Sequence, residues 1–318
     1  MKLVTFTIGN ETRVGVVINN DSVVVDLAAA GEAAAVEAAP QIFADMISLL
    51  EAGEAGLAAA AQAVAAAGGG EAVADDNTVR ALNAVTLQAP VPCPRKVLAL
   101  AGNYRDHIIE GGAALVPQDE ETPRVFMKPP ATTVIGAGDS IRIPPVAQSI
   151  DWEGELAVVI GRPAKAVKAA AALQYVAGYT IMNDVSERNL KIWERSDSRP
   201  QDKWFDWLNG KWFDTFAPQG PWIVTRDEIP DPQTLEISTF VNGERKQHSS
   251  TAQMIFSVAR VIEYISAMVM LQPGDLISTG TVAGVGNASG TYLQPGDDVR
   301  IEISGIGALR NIVVKSDS

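Results

Sequence analysis

Three acidic residues at the ends of strongly apolar runs are candidates for binding a cation. Glu153 and Glu155 begin the run that extends to Ile160, and Asp184 follows the run of residues 176–182. We interpret the two runs as neighbouring strands, and because alternate residues of a strand point to one face, Glu153 and Glu155 can converge. An unpaired buried carboxylate is very costly, which indicates a divalent cation as the partner. The alternative is that both glutamates lie on the solvent-facing side of an edge strand.

Soft metal ligands are scarce in this chain. It contains one cysteine, Cys93, and two histidines, His107 and His248. A zinc site of the Cys/His kind is therefore hard to build, and an intrachain disulfide is excluded. Oxygen ligands favour Mg²⁺ or Mn²⁺, with Ca²⁺ also possible.

A histidine and a glutamate three residues apart follow the apolar run of residues 96–101. A single helical turn would bring His107 and Glu110 together, and a carboxylate beside an imidazole orients it and raises its basicity. Such a pair suits a general base that acts on water, and nearby glycines would let the segment move as a lid. The alternative is a capping histidine on a surface turn.

Two further stretches offer groups to an anion. Lys211 lies among aromatic and apolar residues, where a lysine either extends to solvent or points at an anion. The glycine-rich residues 278–286 follow an apolar run and offer backbone N–H groups and hydroxyls, although an ordinary turn would have the same composition.

The elements that must position these residues are mostly strands. The first residues alternate as a hairpin system, and helices are predicted over residues 42–50 and 58–70. We place the boundary between a small N-terminal α+β domain, residues 1–90, and a main domain, residues 91–318, where prolines cluster. The main domain lacks regular βαβ alternation, so a mixed, β-rich α+β fold of the roll or barrel kind fits better than a doubly wound sheet.

Two local sequence patterns in the main domain predict a helix and a repeated turn. An apolar stripe predicts a helix over residues 254–265, with capping candidates at Ser249, Ser250 and Thr251. The residues Gln-Pro-Gly-Asp occur at 272–275 and again at 294–297, which indicates repeated turn chemistry.

The charge excludes two classes of partner. The formal net charge is −13, which argues against nucleic acid and against an anionic membrane. The apolar stretches are shorter than a membrane span, and the N-terminus lacks a basic start followed by an apolar block. We expect a soluble, cytoplasmic protein, and a small anionic substrate remains possible because a local cationic site can override the global sign.

Taken together, these stretches resemble the fumarylacetoacetate hydrolase family, from about Lys96 to Val314. The resemblance implies a β-roll or β-sandwich main domain and a homodimer. The site residues that it implies are the metal ligands Glu153, Glu155 and Asp184, the catalytic residues His107, Glu110 and Lys211, and the substrate contacts Arg105, Lys128, Arg188 and Thr281.

The reaction that the resemblance implies begins with a metal-bound enolate of a 2-oxo acid. We expect hydrolysis of the carbon–carbon bond of an acylpyruvate, with His107 and Glu110 activating water and Lys211 neutralising developing charge. An oxaloacetate-type decarboxylase, or an isomerase of a hydroxymuconate-type diacid, is the alternative on the same scaffold. A protein that only binds a dicarboxylate through the cation is a further alternative, although binding alone needs no base.

The segment Asn189–Asn209 is longer than compact members of the family need. It is rich in charge and contains Trp193, Trp204, Phe205 and Trp207. It either forms a wall of the substrate pocket or makes a dimer contact or a packed surface loop.

Overall fold

The computed structural model describes residues 1–75, 77–197 and 199–316 and is a mixed α+β fold with more residues in strands than in helices. The strands are β1 (Lys2–Ile8), β2 (Glu11–Ile18), β3 (Val23–Asp26), β4 (Val79–Ala81), β5 (Thr86–Leu87), β6 (Val97–Ala101), β7 (Arg124–Lys128), β8 (Val134–Ile135), β9 (Ser140–Ile143), β10 (Ile150–Asp151), β11 (Gly154–Ile160), β12 (Val176–Asn183), β13 (Ser186–Glu187), β14 (Ala217–Thr225), β15 (Glu236–Val241), β16 (Glu244–Ser250), β17 (Leu276–Thr281), β18 (Asp298–Ile303) and β19 (Gly307–Lys315).

The α-helices are short, apart from α4 and α9. They are α1 (Leu27–Ala33), α2 (Ala39–Ile42), α3 (Met46–Glu51), α4 (Gly53–Ala66), α5 (Arg105–Glu110), α6 (Pro130–Thr133), α7 (Ala169–Ala172), α8 (Asp202–Asn209), α9 (Val258–Met268) and α10 (Gly286–Ser289). Within the described ranges, none of these helices has both the length and the apolar character needed to cross a membrane.

One large open sheet runs through the molecule in the order β4-β3-β2-β1-β14-β12-β11-β17-β6-β7, so β4 and β7 are its ends. A second sheet, in the order β16-β15-β18-β19-β9, lies against β11, β12 and β14 of the first. The strand-rich α+β class predicted from the sequence is confirmed.

The strands of the first 90 residues continue the large sheet. β1 pairs with β14 in antiparallel fashion, with Lys2 opposite Val224. Because hydrogen bonding crosses residue 90 in this way, the sheet belongs to both parts of the chain. The division into domains 1–90 and 91–318 stays a prediction.

The central strands of the large sheet are buried on both faces. Along β11, Leu156 and Val158 pack into one apolar cluster, whereas Ala157 and Val159 pack into another on the opposite face. A strand covered on both faces needs apolar side chains at consecutive positions, which explains the unbroken run after Glu155. The one charged residue of β11, Glu155, therefore lies at the start of that strand.

All three predicted helices have other bounds in the structure. The helix predicted over residues 58–70 is α4, which begins at Gly53 and ends at Ala66. The helix predicted over residues 42–50 is divided into α2 and α3, because the side chain of Asp45 accepts the N–H of Ser48 at 2.7 Å and begins a new helix. The helix predicted from residue 254 begins only at Val258, with Ser257 as its N-cap.

The predicted caps Ser249, Ser250 and Thr251 were therefore wrong for α9. Ile255 donates its N–H to the carbonyl oxygen of Asn103 at 2.7 Å, which holds this part of the chain outside the helix. Ser250 instead caps the single 3₁₀ turn Thr251–Gln253.

The repeated Gln-Pro-Gly-Asp turns are alike in structure. The carboxylate of Asp275 accepts the N–H of Gln272 at 2.7 Å, and that of Asp297 accepts the N–H of Gln294 at 2.7 Å. The prediction of repeated turn chemistry is confirmed.

Candidate active site

The three predicted metal ligands meet at one edge of the large sheet. β11 and β12 pair with Gly154 opposite Asn183, so Glu153 and Asp184 lie side by side just beyond the paired residues. The backbone N–H of Asp184 donates to the carbonyl oxygen of Glu153 at 2.9 Å. One carboxylate oxygen from each of Glu153, Glu155 and Asp184 lies within 4.8 Å of the others, and all three residues are buried.

Two buried lysines neutralise part of this acidic cluster. The ammonium of Lys211 donates to Glu153 at 3.0 Å, to Asp184 at 2.6 Å and to the hydroxyl of Ser186 at 2.8 Å. Lys128 donates to the other carboxylate oxygen of Asp184. Neither lysine extends to solvent, so the alternative of an exposed Lys211 does not apply.

Arg188 reaches the cluster from the opposite side of Glu153. Its guanidinium donates to Glu153 and, at 2.8 Å, to Asp151. Asp151 also accepts the backbone N–H groups of Gly286 at 2.6 Å and Asn287 at 3.0 Å, so it holds Arg188 against the glycine-rich loop. Asp151 was not among the predicted site residues, although its position two residues before Glu153 was a signal.

Glu155 has the environment expected of a cation ligand. One of its oxygens accepts from Ser278 and, at 2.8 Å, from the N–H of Gly280, whereas the other is buried with no hydrogen-bond partner among the described residues. Burial, and then the charges of Asp184 and Glu153, raise the pKa of Glu155 well above its ordinary value. Because oxygen ligands suit hard divalent cations, the three acids fit such an ion.

The other charged groups have pKa values set by competition between burial and neighbours. Burial raises the pKa of Glu153, but Lys211 and Arg188 outweigh it and hold that pKa below its ordinary value. Burial, offset only in part by Asp184, lowers the pKa of Lys128 to about 8. Burial also lowers the pKa of Lys211, but Asp184 and Glu153 outweigh it and raise that pKa. The pKa of each group in the cluster therefore depends on the charges of its neighbours.

The predicted histidine–glutamate pair forms in α5. Nδ1 of His107 lies 3.3 Å from one oxygen of Glu110, as expected for residues one helical turn apart. The other oxygen of Glu110 accepts the N–H of Gly284 at 2.8 Å. Each side chain of the pair is 20% exposed, so the pair faces an open space and is not a surface cap.

That space is a cleft with an inner and an outer part. The inner cavity has a volume of about 320 Å³ and is lined by Glu153, Lys211 and Thr281 among others. The outer cavity has a volume of about 570 Å³ and includes Glu110 in its lining. The residues that line both parts are Gly102, His107, Arg124, Arg188 and Trp207. Glu153, Lys211 and His107 therefore face one connected space.

Of the four predicted substrate contacts, Arg188 and Thr281 line the inner cavity, whereas Arg105 and Lys128 are absent from the lining of both cavities. The hydroxyl of Thr281 donates to the carbonyl oxygen of Gly154 at 3.0 Å and accepts from Gln247 at 2.9 Å, although Thr281 lines the inner cavity. Arg105 is exposed on α5 and is absent from the lining of both cavities, where Arg124 is found instead. The roles of Thr281 and Arg105 as substrate contacts stay predictions.

The segment Asn189–Asn209 contributes a wall of the inner cavity, through Trp204 and Trp207 on α8. The two rings are stacked with centroids 4.9 Å apart, and Trp207 also meets Phe126 edge to face at 5.2 Å. Within this segment, Ser198 lies outside the described residues.

Comparisons with known proteins agree with this geometry. Residues 96–314 match the model of the fumarylacetoacetate hydrolase C-terminal domain. The mitochondrial oxaloacetate tautomerase FAHD2B of Bos taurus is 41% identical over 271 residues, which cover 85% of this chain and 79% of that protein.

Two solved structures have the same fold over the whole length. Maleylpyruvate hydrolase from Sphingobium sp. SYK-6, in complex with manganese(II) and pyruvate, has a TM-score of 0.74 and 29% identity, covering 100% of each chain. The 2-hydroxyhepta-2,4-diene-1,7-dioate isomerase from Mycobacterium marinum has a TM-score of 0.70 and 32% identity, again covering 100% of each chain. This chain belongs to the fumarylacetoacetate hydrolase family of enzymes.

Proposed function

We propose that this enzyme hydrolyses the carbon–carbon bond of an acylpyruvate, a 2-oxo acid with a second carbonyl group at carbon 4. The observation that carries the proposal is the His107–Glu110 pair, which faces the same cleft as Glu153 and Lys211. A general base, a positively charged lysine and a metal ligand that face one cleft suit catalysis, whereas binding alone needs no base.

Glu153, Glu155 and Asp184 would hold the cation, which we propose is Mg²⁺ or Mn²⁺, with Ca²⁺ as a further possibility. The oxygen of Glu155 that has no hydrogen-bond partner among the described residues supports this assignment. When bound, such an ion would polarise the carboxylate and keto oxygens of the 2-oxo acid. The maleylpyruvate hydrolase complex contains manganese(II) and pyruvate, a 2-oxo acid. This supports the proposal that the 2-oxo acid end of the substrate binds at the corresponding site here.

The chain's own residues would then divide the work between a base and a charge stabiliser. His107, oriented by Glu110, takes a proton from water as the water oxygen attacks carbon 4. The bond between carbons 3 and 4 breaks, and its electron pair passes to carbon 3 as the enolate of pyruvate. Lys211 stabilises the negative charge on the enolate oxygen, and protonation of carbon 3 by the imidazolium of His107 completes pyruvate and a carboxylic acid.

The size of the cleft supports a substrate with an acyl arm. Glu153, Lys211 and His107 line the inner cavity, and the outer cavity adds a larger space beyond His107. A four-carbon 2-oxo acid would leave that space unused.

Keto–enol tautomerisation of a 2-oxo diacid is the second candidate. The observation that favours it is the 41% identity to the bovine oxaloacetate tautomerase, which exceeds the 29% identity to the maleylpyruvate hydrolase. His107 would move a proton at carbon 3 without activating water. The diene-diacid isomerisation named for the Mycobacterium marinum structure also needs only proton transfers, whereas decarboxylation of oxaloacetate breaks the bond between carbons 3 and 4 without water; both are further alternatives on the same residues.

Product analysis separates the candidates. Purified protein is incubated with acylpyruvates, oxaloacetate and a hydroxymuconate-type diacid in the presence of Mg²⁺ or Mn²⁺. Pyruvate plus a carboxylic acid supports hydrolysis, release of CO₂ supports decarboxylation, and a change in ultraviolet absorbance at constant mass supports tautomerisation or isomerisation. No turnover of any substrate would contradict all of these activities.

We also propose that the enzyme acts as a homodimer in the cytoplasm on a small anionic substrate, without nucleic acid or membrane partners. The net charge of −13 supports the exclusion of polyanionic partners. Light scattering of the purified protein tests the dimer.

A further inference from the structure

The passage between the two parts of the cleft is framed by a cation and an aromatic ring. Arg124 and Trp207 both line the inner cavity and the outer cavity. Glu153 and Lys211 line only the inner cavity, so an acyl arm that leaves them for the outer cavity passes Arg124 and Trp207.

The position of Arg124 follows from its strand. Arg124 and Phe126 are alternate residues of β7 and therefore point to the same face. Phe126 is buried and its ring meets Trp207 edge to face at 5.2 Å, so the side chain of Arg124 emerges beside Trp207. The arginine is thus positioned by a packed aromatic pair and not by a loop.

Arg124 differs in its hydrogen-bond partners from Lys211 and Arg188, the other positively charged side chains that line the inner cavity. Lys211 and Arg188 both donate to buried carboxylates. The guanidinium of Arg124 lies 3.7 Å from a carboxylate oxygen of Glu121, which is beyond hydrogen-bond distance, and its side chain is 63% exposed. Among the side chains that the structure describes, none hydrogen-bonds to it, so its fork of donors is available to a ligand.

We propose that Arg124 recognises a carboxylate at the distal end of the acyl arm, so that the substrate is a 2-oxo diacid. The inference rests on the proposed function, because the 2-oxo end must occupy the acidic cluster for the arm to reach Arg124. A guanidinium binds a carboxylate through two parallel hydrogen bonds, and Arg188, which also lines both cavities, already donates to Asp151 and Glu153. Arg124 is a specificity-determining residue and takes no part in the proton transfers.

Two substrates and two variants test this assignment. The substrates are acylpyruvates whose arms are of equal length and end either in a carboxylate or in the isosteric isopropyl group. The variants are Arg124→Gln and the control Arg260→Gln. Arg260 is 61% exposed and, like Arg124, lies near a glutamate three residues away, but it is on α9 and is absent from the lining of both cavities.

We expect Arg124→Gln to lower kcat/KM about 10- to 100-fold for the diacid, mainly through KM, and less than about twofold for the isopropyl substrate. Arg124→Lys should recover part of the loss, because a point charge remains. Arg260→Gln should change neither substrate. An equal loss for both substrates, or no loss for the diacid, would overturn the assignment.

Calorimetric binding of the same pair in the presence of Mn²⁺ separates this inference from the proposed function. If the wild type turns over neither substrate, the hydrolase proposal fails. A selective loss of diacid affinity in Arg124→Gln would still support the assignment, whereas equal affinities in the variant and the wild type would overturn it.

Discussion

Glu110 accepts a hydrogen bond from the backbone N–H of Gly284 at 2.8 Å, although 174 positions separate the two residues in the chain. The same carboxylate orients His107 through its other oxygen. Helix α5 is therefore tethered to the glycine-rich loop by the residue that also positions the base. The histidine–glutamate pair and the glycine-rich loop, which are far apart in the sequence, therefore form one structural unit.

Substitution of Glu110 should separate tethering from orientation. In Glu110→Gln, the amide oxygen can still accept the N–H of Gly284, but the carboxylate beside His107 is lost, so we expect kcat to fall about 100-fold through a misplaced base. Glu110→Ala should lower kcat at least as far and also release α5. Hydrogen exchange of residues 105–110 measures the release, and equal exchange in the two variants would contradict the tether.

His107→Ala should remove the base and leave the metal ligands intact. We expect a loss of about 10²- to 10⁴-fold in acylpyruvate cleavage, with Mn²⁺ affinity unchanged. His248→Ala is the matched control, because His248 is the other histidine and is 48% exposed on β16. Steady-state kinetics and calorimetry provide the two measurements, and full activity in His107→Ala would refute the role of His107 as the base.

Lys211→Met should leave Glu153 and Asp184 without their shared cation. Breaking a buried ion pair costs about 3–5 kcal/mol, so we expect the metal-free variant to unfold at lower urea concentration. Loss of one charge-stabilising donor should lower kcat about 10²- to 10³-fold. Mn²⁺ should recover part of the stability but not the activity. Lys203→Met, at an exposed position on α8, should change neither quantity.

Glu155→Gln should change the pH dependence of stability in protein treated with a chelator. The folded-state pKa of Glu155 is raised above its ordinary value of 4.5, so below pH 4.5 the group is neutral in both states. As pH rises from 4.5 toward the raised value, the unfolded chain ionises first, and the free energy of unfolding falls. The variant lacks this loss.

The stability difference, variant minus wild type, should therefore increase with pH above 4.5 in urea titrations. Added Mn²⁺ should stabilise the wild type and not the variant, because a neutral amide is a poorer ligand for a hard cation. A difference that does not vary with pH would contradict the raised pKa.

Gly284→Ala should destabilise the loop more than Gly290→Ala. Both glycines have a positive φ, +103° and +69° respectively, so each substitution carries the left-handed penalty of about 1–2 kcal/mol. At Gly284 a Cβ would also lie 2.0 Å from the carbonyl oxygen of Lys246, whereas at Gly290 nothing lies within 4 Å. Overpacking should add about 1–3 kcal/mol at Gly284 alone. Thermal unfolding measures both, and equal shifts in Tm would contradict the steric argument.

Local patterns in the sequence were sufficient for much of the site. The spacing of His107 and Glu110 is one helical turn, and the hydrogen bond between them depends on that spacing alone. Glu153 lies just before β11 and its carboxylate converges with that of Glu155, as strand alternation predicted, and both Gln-Pro-Gly-Asp turns close through their own aspartate. These relationships involve neighbours in the chain, so local geometry determines them.

The tertiary structure decided which distant groups meet, because only the pairing of strands brings them together. The pairing of β6 with β7 places Arg124 opposite Ala101 at the cleft, while Arg105, in the predicted motif, is exposed. The helix predicted from residue 254 starts later because the N–H of Ile255 is bonded to the carbonyl oxygen of Asn103. The protonation of Glu155 likewise depends on burial and on Asp184, which lies on another strand end. The sequence by itself thus determined the chemical groups and their local spacing, whereas packing determined their partners, charges and access to the substrate.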